Sequence, residues 1–208
     1  MLFNHQTDIL NGKRVLIVGF ARQGQALARW LPTVGARPIV TDNKSAEQLK
    51  LRVEDYPTVR FVLGETTADL LESADMLCIS GGVPLDHPLV QGAYERGIPV
   101  TNDAQLFVDR CPAPIIGITG SAGKTTTTTL VGEMCKKNGM VTWVGGNIGS
   151  VLLDVMVGIR PEHQVVMELS SFQLELMYSS PPIGGILNIT PNHLDRHGTM
   201  ENYIRAKA

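Results

Sequence analysis

The sequence predicts an α/β fold built on parallel sheets, and three observations carry that expectation. Nine short runs rich in Val and Ile recur along the 208 residues. They are apolar throughout instead of alternating with polar residues, as suits strands covered on both faces. Stretches of helical pattern separate them, which implies βαβ units.

The runs, in order, are Arg14–Gly19, Pro38–Asp42, Arg60–Gly64, Met76–Gly81, Pro99–Asn102, Pro114–Gly120, Val141–Gly146, Gln164–Leu169 and Gly184–Thr190. Many end in Gly, Asp or Ser, residues that turn the chain out of a strand. Between Ala104–Val108, which reads as helix, and the strand after Pro114 lies DRCPAPI, with two prolines within three residues. Proline disfavours helix in the residue before it, so this segment reads as a linker. The expected division is a first domain over 1–110 and a second from 111 to the end.

Composition narrows the function classes. The chain is 43% hydrophobic and 18% charged, with 18 basic against 20 acidic residues and a formal charge of −2. That balance gives no footprint for nucleic acid or an anionic membrane. No window approaches the roughly 18 apolar residues a membrane span needs. The first residues, MLFNHQTDILNGKR, do not read as a signal peptide. Cys78, Cys111 and Cys135 form no CxxC pair and sit in or near apolar segments. Buried free thiols in a reducing cytoplasm are the expectation.

The chemistry-bearing motifs follow strands. The first is the turn Gly19-Phe20-Ala21-Arg22-Gln23-Gly24, a partial dinucleotide fingerprint with Ala21 at the middle glycine position. Asp42 ends the next strand, where such folds place a ribose-binding acid. A nucleotide site and a plain βα turn both fit this motif. SGGVP at 80–84 also follows a strand and reads equally well as a ligand loop or a turn.

The strongest signal is PIIGITGSAGKTTTTTLVGEMCKKNG. A strand leads into Gly120-Ser121-Ala122-Gly123-Lys124-Thr125, and a helix follows, the order of a phosphate loop. Glycines let backbone N–H groups face phosphate. Lys124 would reach the β- and γ-phosphates, and the Thr125 hydroxyl would meet Mg²⁺. Five threonines opening a helix are unexpected on propensity, since threonine is a poor helix former. Gly139 after Lys136 and Lys137 reads as the helix stop.

Three later segments add polar groups. GGNIG at 145–149 sets Asn147 between glycines, for a metal, a sugar or a turn. QVVMELSSFQLELM puts Glu168 at the end of a buried strand. A carboxylate there is costly unless paired or metal-bound, and Mg²⁺ beside a phosphate loop is the natural partner. Ser170 and Gln173 have capping-box spacing, so helix initiation competes with ligand contact. GGILNITPNHLDRHG ends a strand at Thr190, with Pro191 suited to a first helical turn. His193, Asp195 and His197 then cluster, His193 being the first candidate for a metal.

TGSAGKT, GGNIG, ELSSFQLE and NITPNHLDRHG, in that order, resemble the Mur ligase family, and ELSSFQLE resembles its D-glutamate-adding branch. The resemblance implies a Rossmann-like domain followed by part of a phosphate-loop ATPase domain. It implies an ATP-dependent, amide-forming ligase of peptidoglycan synthesis, acting on UDP-N-acetylmuramoyl-L-alanine, ATP and D-glutamate through an acyl phosphate. Gly19, Phe20, Ala21, Arg22 and Gln23, with Asp42, Asn43, Lys44, Ser80, Gly81 and Gly82, would hold the UDP part. Asn147, Ser170 and Gln173 would lie near the muramoyl part.

ATP would be held by Gly120, Ser121, Ala122, Gly123, Lys124, Thr125 and Thr126. Lys124, His193 and Lys207 would be catalytic. Two Mg²⁺ sites are implied, one on Thr125 and Glu168 and one on His193 and a carbamylated Lys207. Ala21 departs from the family's glycine. The sequence also stops at Ala208, before the region where the family holds adenine and D-glutamate, so the fragment is expected to be inactive alone. Three rivals remain: a non-catalytic nucleotide-binding module, a phosphate-loop kinase or ATPase, and a nicotinamide oxidoreductase.

Overall fold

The computed structural model describes residues 8–208; the signal-peptide reading of the first residues lies largely outside them. The chain divides into two compact units, one ending at Asp103 and the other beginning at Ala104. All nine expected strands form.

In the first unit, β1 (Arg14–Val18) leads through a glycine turn to α1 (Arg22–Trp30), then β2 (Arg37–Asp42). β3 (Arg60–Leu63), β4 (Met76–Ile79), α2 (Pro88–Glu95) and β5 (Val100–Thr101) follow. The sheet order is β3-β2-β1-β4-β5, and every pairing is parallel. The apolar run of β1 is explained by its place: Val15, Leu16 and Ile17 are fully buried. Order reverses at β1, so the loops after β1 and β4 leave the sheet side by side. In open α/β sheets that crevice is where ligands bind.

The second unit opens with α3 (Asp103–Val108), whose first residue closes the first unit, and β6 (Ile115–Thr119). α4 (Lys124–Lys137), β7 (Thr142–Gly146), β8 (Gln164–Glu168), α5 (Ser171–Leu174), β9 (Ile183–Ile186), α6 (Leu194–His197) and α7 (Met200–Arg205) follow. Its parallel sheet runs β7-β8-β6-β9. β6 is flanked by β8 and β9, with Ile118 opposite Glu168 and Thr119 opposite Ile186. The carboxyl ends of three strands therefore meet where the Gly120–Thr125 loop begins.

α3 is tied to the second unit by a buried glutamine. Gln105 Oε1 accepts from the N–H groups of Tyr178 and Ser179 at 2.9 and 3.4 Å, and its Nε2 donates to Asp109 and to the Ser179 hydroxyl. The division consequently falls ahead of the proline segment to which the sequence pointed. α4 lies close on β7 because Gly132 has no side chain; a Cβ there would stand 2.4 Å from Val144 Cγ2.

Two local expectations are corrected. The last strand ends at Ile186, not Thr190, because residues 188–190 leave the sheet to bond Ser121 and Ala122. Pro191 is not in a first helical turn: α6 starts at Leu194, behind His193 in a left-handed conformation with φ 54°. Of the cysteines, Cys78 is buried, while Cys111 and Cys135 are half-buried; all three are free. Among the described residues no helix is long and apolar enough to cross a membrane.

The first turn of α1 depends on a close approach, since a Cβ on Gly24 would stand 2.0 Å from the Gly19 carbonyl oxygen. That contact is with backbone and cannot be relieved by a rotamer change. Gly24→Ala should destabilise the protein by about 1–3 kcal/mol, the usual cost of overpacking, read from the urea midpoint. A midpoint unchanged from wild type would contradict the packing described.

Candidate functional site

In the first unit the glycine turn is held by an acid. The Asp42 carboxylate accepts from the N–H of Phe20 at 2.8 Å and of Lys44 at 2.9 Å. Asp42 thus fastens β2 to the turn, and its remaining lone pairs are its only capacity for a ligand. Gly19, at φ 87°, donates to the Thr41 carbonyl and passes close to Ser80. The Phe20 ring points into the interior, against Tyr56 and Phe61 at 5.3 Å each, so only its backbone can serve a ligand.

Ala21 caps α1 without a side-chain hydrogen bond, and Arg22 and Gln23 open the helix, the end at which an anion is favoured. Ser80 is buried, and its hydroxyl has no hydrogen-bond partner among the described residues. Gly81 passes 3.9 Å from Gln23 Nε2, measured from where a Cβ would stand, while a Cβ on Gly82 would meet nothing within 4 Å.

Beside these loops lies a cavity of about 310 Å³ lined by Asn43, Thr66, Ala68, His87, Pro88 and Leu89. The Thr66 hydroxyl donates to Asn43 Oδ1 at 3.0 Å. His87 Nδ1 accepts from the Leu89 N–H, so the neutral ring carries its proton on Nε2. Thr66 and His87 escape sequence reasoning because each looks like an ordinary loop or cap residue.

In the second unit Glu168 is only 2% exposed. The Thr125 hydroxyl donates to its Oε2 at 2.9 Å, and Asn147 Nδ2 donates to its Oε1 at 3.0 Å. The Asn147 N–H also reaches the Glu168 carbonyl at 2.9 Å. No cationic side chain of the described residues neutralises this carboxylate. A buried carboxylate beside a hydroxyl oxygen is a donor set suited to a hard divalent cation.

Lys124 folds back on its own loop, Nζ donating to the carbonyls of Gly120 at 2.9 Å and Ser121 at 3.2 Å. Ala122, Gly123, Thr125 and Thr126 are exposed around it. Lys207 is buried and approaches the same carbonyl: its Nζ donates to Thr119 Oγ1 at 3.0 Å and to Gly120 at 3.3 Å, over the Tyr203 ring. Burial, reinforced by the Lys124 charge, lowers its pKa from 10.5 to about 8.

Ser170 and Gln173 form the capping box of α5, the Ser170 hydroxyl accepting from the Gln173 N–H at 3.2 Å and Gln173 Oε1 accepting from Ser170. Their polar atoms are engaged in starting the helix.

The three polar groups after β9 do not form one cluster. His193 and Asp195 are exposed, the His193 ring lying against Phe172 at 4.9 Å. His197 turns inward, stacks on Phe172 and pairs through Nε2 with the Ser171 hydroxyl at 2.9 Å. Burial lowers its pKa, partly offset by the charge of Glu175, which raises it. Among the described residues no three His, Cys, Asp or Glu side chains converge for a metal. Asn188 and Tyr203, which bond Ala122 and Ser121, were not singled out by the sequence as site residues.

Comparison with known proteins gives matches over both units. Residues 13–102 match the Mur ligase MurD-like N-terminal domain, and residues 118–208 match the Mur ligase middle domain. The UDP-N-acetylmuramoylalanine--D-glutamate ligase of Symbiobacterium thermophilum is 43% identical over 197 residues, covering 94% of this chain and 43% of that protein. The protein of the same name from Clostridium botulinum strain Hall is 42% identical over 208 residues, covering 99% of this chain and 45% of its own length. The chain therefore spans less than half the length of these curated relatives.

Among solved structures, UDP-N-acetylmuramate-alanine ligase MurC from Thermotoga maritima aligns with a TM-score of 0.56 at 22% identity, over 93% of this chain and 46% of that one. The UDP-N-acetylmuramate:L-alanyl-gamma-D-glutamyl-meso-diaminopimelate ligase of Neisseria meningitides aligns with 0.58 at 17% identity, over 94% and 67%. At such identities the likeness is one of fold.

The buried Lys207 amine has a pH signature. The unfolded chain holds its proton up to about pH 10.5, whereas the folded chain releases it near 8. Between those values the unfolded state binds more protons, so stability should rise with pH across the window. Urea midpoints should show this rise, and Lys207→Met should flatten it. A slope shared by both proteins would assign the effect elsewhere.

Proposed function

Because the chain belongs to the Mur ligase family, we propose that it forms the UDP-substrate and phosphate-loop portions of an ATP-dependent ligase that joins D-glutamate to UDP-N-acetylmuramoyl-L-alanine. The observation that carries the reading is the Thr125–Glu168 pair at the tip of β6 and β8, one residue from Lys124. The relatives named for this reaction, 42–43% identical, support the same substrates.

In the proposed reaction an oxygen of the alanyl carboxylate attacks the γ-phosphorus of ATP. The bond to the β-phosphate oxygen breaks, ADP leaves, and an acyl phosphate forms. The D-glutamate nitrogen then attacks the acyl carbon. Phosphate departs with the C–O electrons, and the nitrogen loses its proton as the amide forms.

Both partners in the first step are anions, so this chain's task is to gather and align them. Lys124 would exchange its two loop carbonyls for β- and γ-phosphate oxygens. The amides at the start of α4 would receive the phosphates. Thr125 and Glu168 would hold one Mg²⁺, which when bound offsets phosphate charge. Asn147 keeps Glu168 oriented for that role.

His193 would contribute to a second cation once Lys207 is carbamylated. The lowered pKa of Lys207 supports this, because a neutral amine is the form that adds carbon dioxide, with loss of a proton. In the first unit the Gly19–Gln23 turn, Asn43, Lys44 and the Ser80–Gly82 loop would take the UDP part. Unpaired Ser80 Oγ and the neighbouring cavity support that assignment. Such substrates and three free thiols suit the cytoplasm.

Thermal shift with UDP-N-acetylmuramoyl-L-alanine, with ATP and Mg²⁺, and with NAD in parallel discriminates this from its rivals. Stabilisation by the first two and none by NAD is expected. A response to NAD alone would overturn the reading. In the full-length enzyme, Lys124→Ala should lower phosphate release by about 10²-fold or more, the cost of removing a preorganised charge-stabilising donor. Near-normal turnover would refute its role.

A further inference from the structure

We infer that Asn188 is a positioning residue of the phosphate loop, fixing which of the loop's amides are free to meet a triphosphate. The inference rests on the ATP reading above and adds a residue outside the loop to it. Ser121 N–H donates to the Asn188 carbonyl at 2.9 Å. Ala122 N–H donates to Asn188 Oδ1 at 3.0 Å, and Asn188 Nδ2 donates back to the Ala122 carbonyl at 2.9 Å. The side-chain amide thus pairs with both polar groups of one loop residue. Only a side chain with an acceptor and a donor on one planar group can do so; aspartate lacks the donor, and glutamine is one methylene longer.

The next residues lengthen the clamp. The Ser121 hydroxyl donates to the Thr190 carbonyl and accepts from the Thr190 N–H, both at 2.9 Å. Its hydrogen is then committed, so the Tyr203 hydroxyl, 2.9 Å away, is the donor in their shared bond. Gly120 fits the same seam, since a Cβ there would lie 3.1 Å from Leu187 Cβ. Asn188 itself is exposed, so core packing does not explain its conformation.

The consequence is a division of labour within the loop. The amides of Ser121 and Ala122 are spent on the strut. Those of Lys124, Thr125 and Thr126 open α4 behind Gly123, which supplies no side-chain cap, and they remain for phosphate. The strut also holds still the Gly120 and Ser121 carbonyls on which Lys124 rests. Without Asn188 the loop can relax before ligand arrives, and binding must then restore its shape.

Amide-resolved hydrogen exchange and an ATP–Mg²⁺ titration by NMR on this chain test the inference. In the free protein, Ser121 and Ala122 should exchange about tenfold more slowly than Lys124 and Thr125, as one hydrogen bond's worth of protection requires. ATP should shift the amides of Lys124 to Thr126 most. Asn188→Ala should speed Ala122 exchange and raise the ATP Kd about tenfold while the melting temperature barely moves.

Equal exchange at all four amides, or largest ATP shifts at Ser121 and Ala122, would overturn the proposal. So would an Asn188→Ala variant whose loss of affinity only tracks a fall in melting temperature. If that variant does not fold, the wild-type exchange pattern decides. If ATP moves no amide of the wild type, the triphosphate reading fails, and the strut is judged on exchange alone.

Discussion

A carboxylate removed from water at the tip of a sheet loses solvation worth several kcal/mol, and something must compensate it. Glu168 meets that cost with two neutral donors, the Thr125 hydroxyl and the Asn147 amide, and with no cation among the described residues. This constraint organises the second unit. β8 carries Glu168, β6 delivers the loop that ends in Thr125, and the Asn147 turn follows β7. Parallel register aligns all three ends, so the sheet's topology becomes the geometry of the site.

The same logic governs the glycines. Gly146 runs so close to the Glu168 backbone that a Cβ would stand 2.4 Å from its carbonyl oxygen. Its φ of 101° is in addition one that side-chain-bearing residues rarely adopt. In the first unit Gly24 plays the equivalent part against Gly19, and Asp42 substitutes hydrogen bonds to backbone for the cation that Glu168 lacks. Both units therefore place a fixed acid beside a glycine turn at a strand's carboxyl end. In the first the acid shapes the turn; in the second it is held in reserve beside the loop.

Much of this is legible in the sequence, for physical reasons that differ by element. Strands buried on both faces need continuous apolar residues, so β1, β6 and β8 announce themselves. The capping box at Ser170 and Gln173 is a local bond pattern and survives any tertiary context. Direction was not legible. Nothing in the turn's sequence says that the Phe20 ring goes inward, or that His197 is buried while His193 is exposed. Asn188 reads as part of the strand run Gly184–Thr190, because its partners at Ser121 and Ala122 lie 67 and 66 positions away in sequence. The structure divides between Asp103 and Ala104, ahead of the prolines to which the sequence pointed: prolines mark a break in helix, whereas the Gln105 bonds to Tyr178 and Ser179 lie within the second unit.

The account stands on Glu168 and Thr125 forming one oxygen-donor pair for a divalent ion at the phosphate loop. A crystal structure of the chain with ADP and Mn²⁺, a spectroscopic substitute for Mg²⁺, tests this most directly. The account predicts an anomalous peak within coordinating distance of Thr125 Oγ1 and a Glu168 carboxylate oxygen, with the Thr125–Glu168 hydrogen bond opened. A peak ligated elsewhere, with that bond intact and nucleotide present, would contradict it.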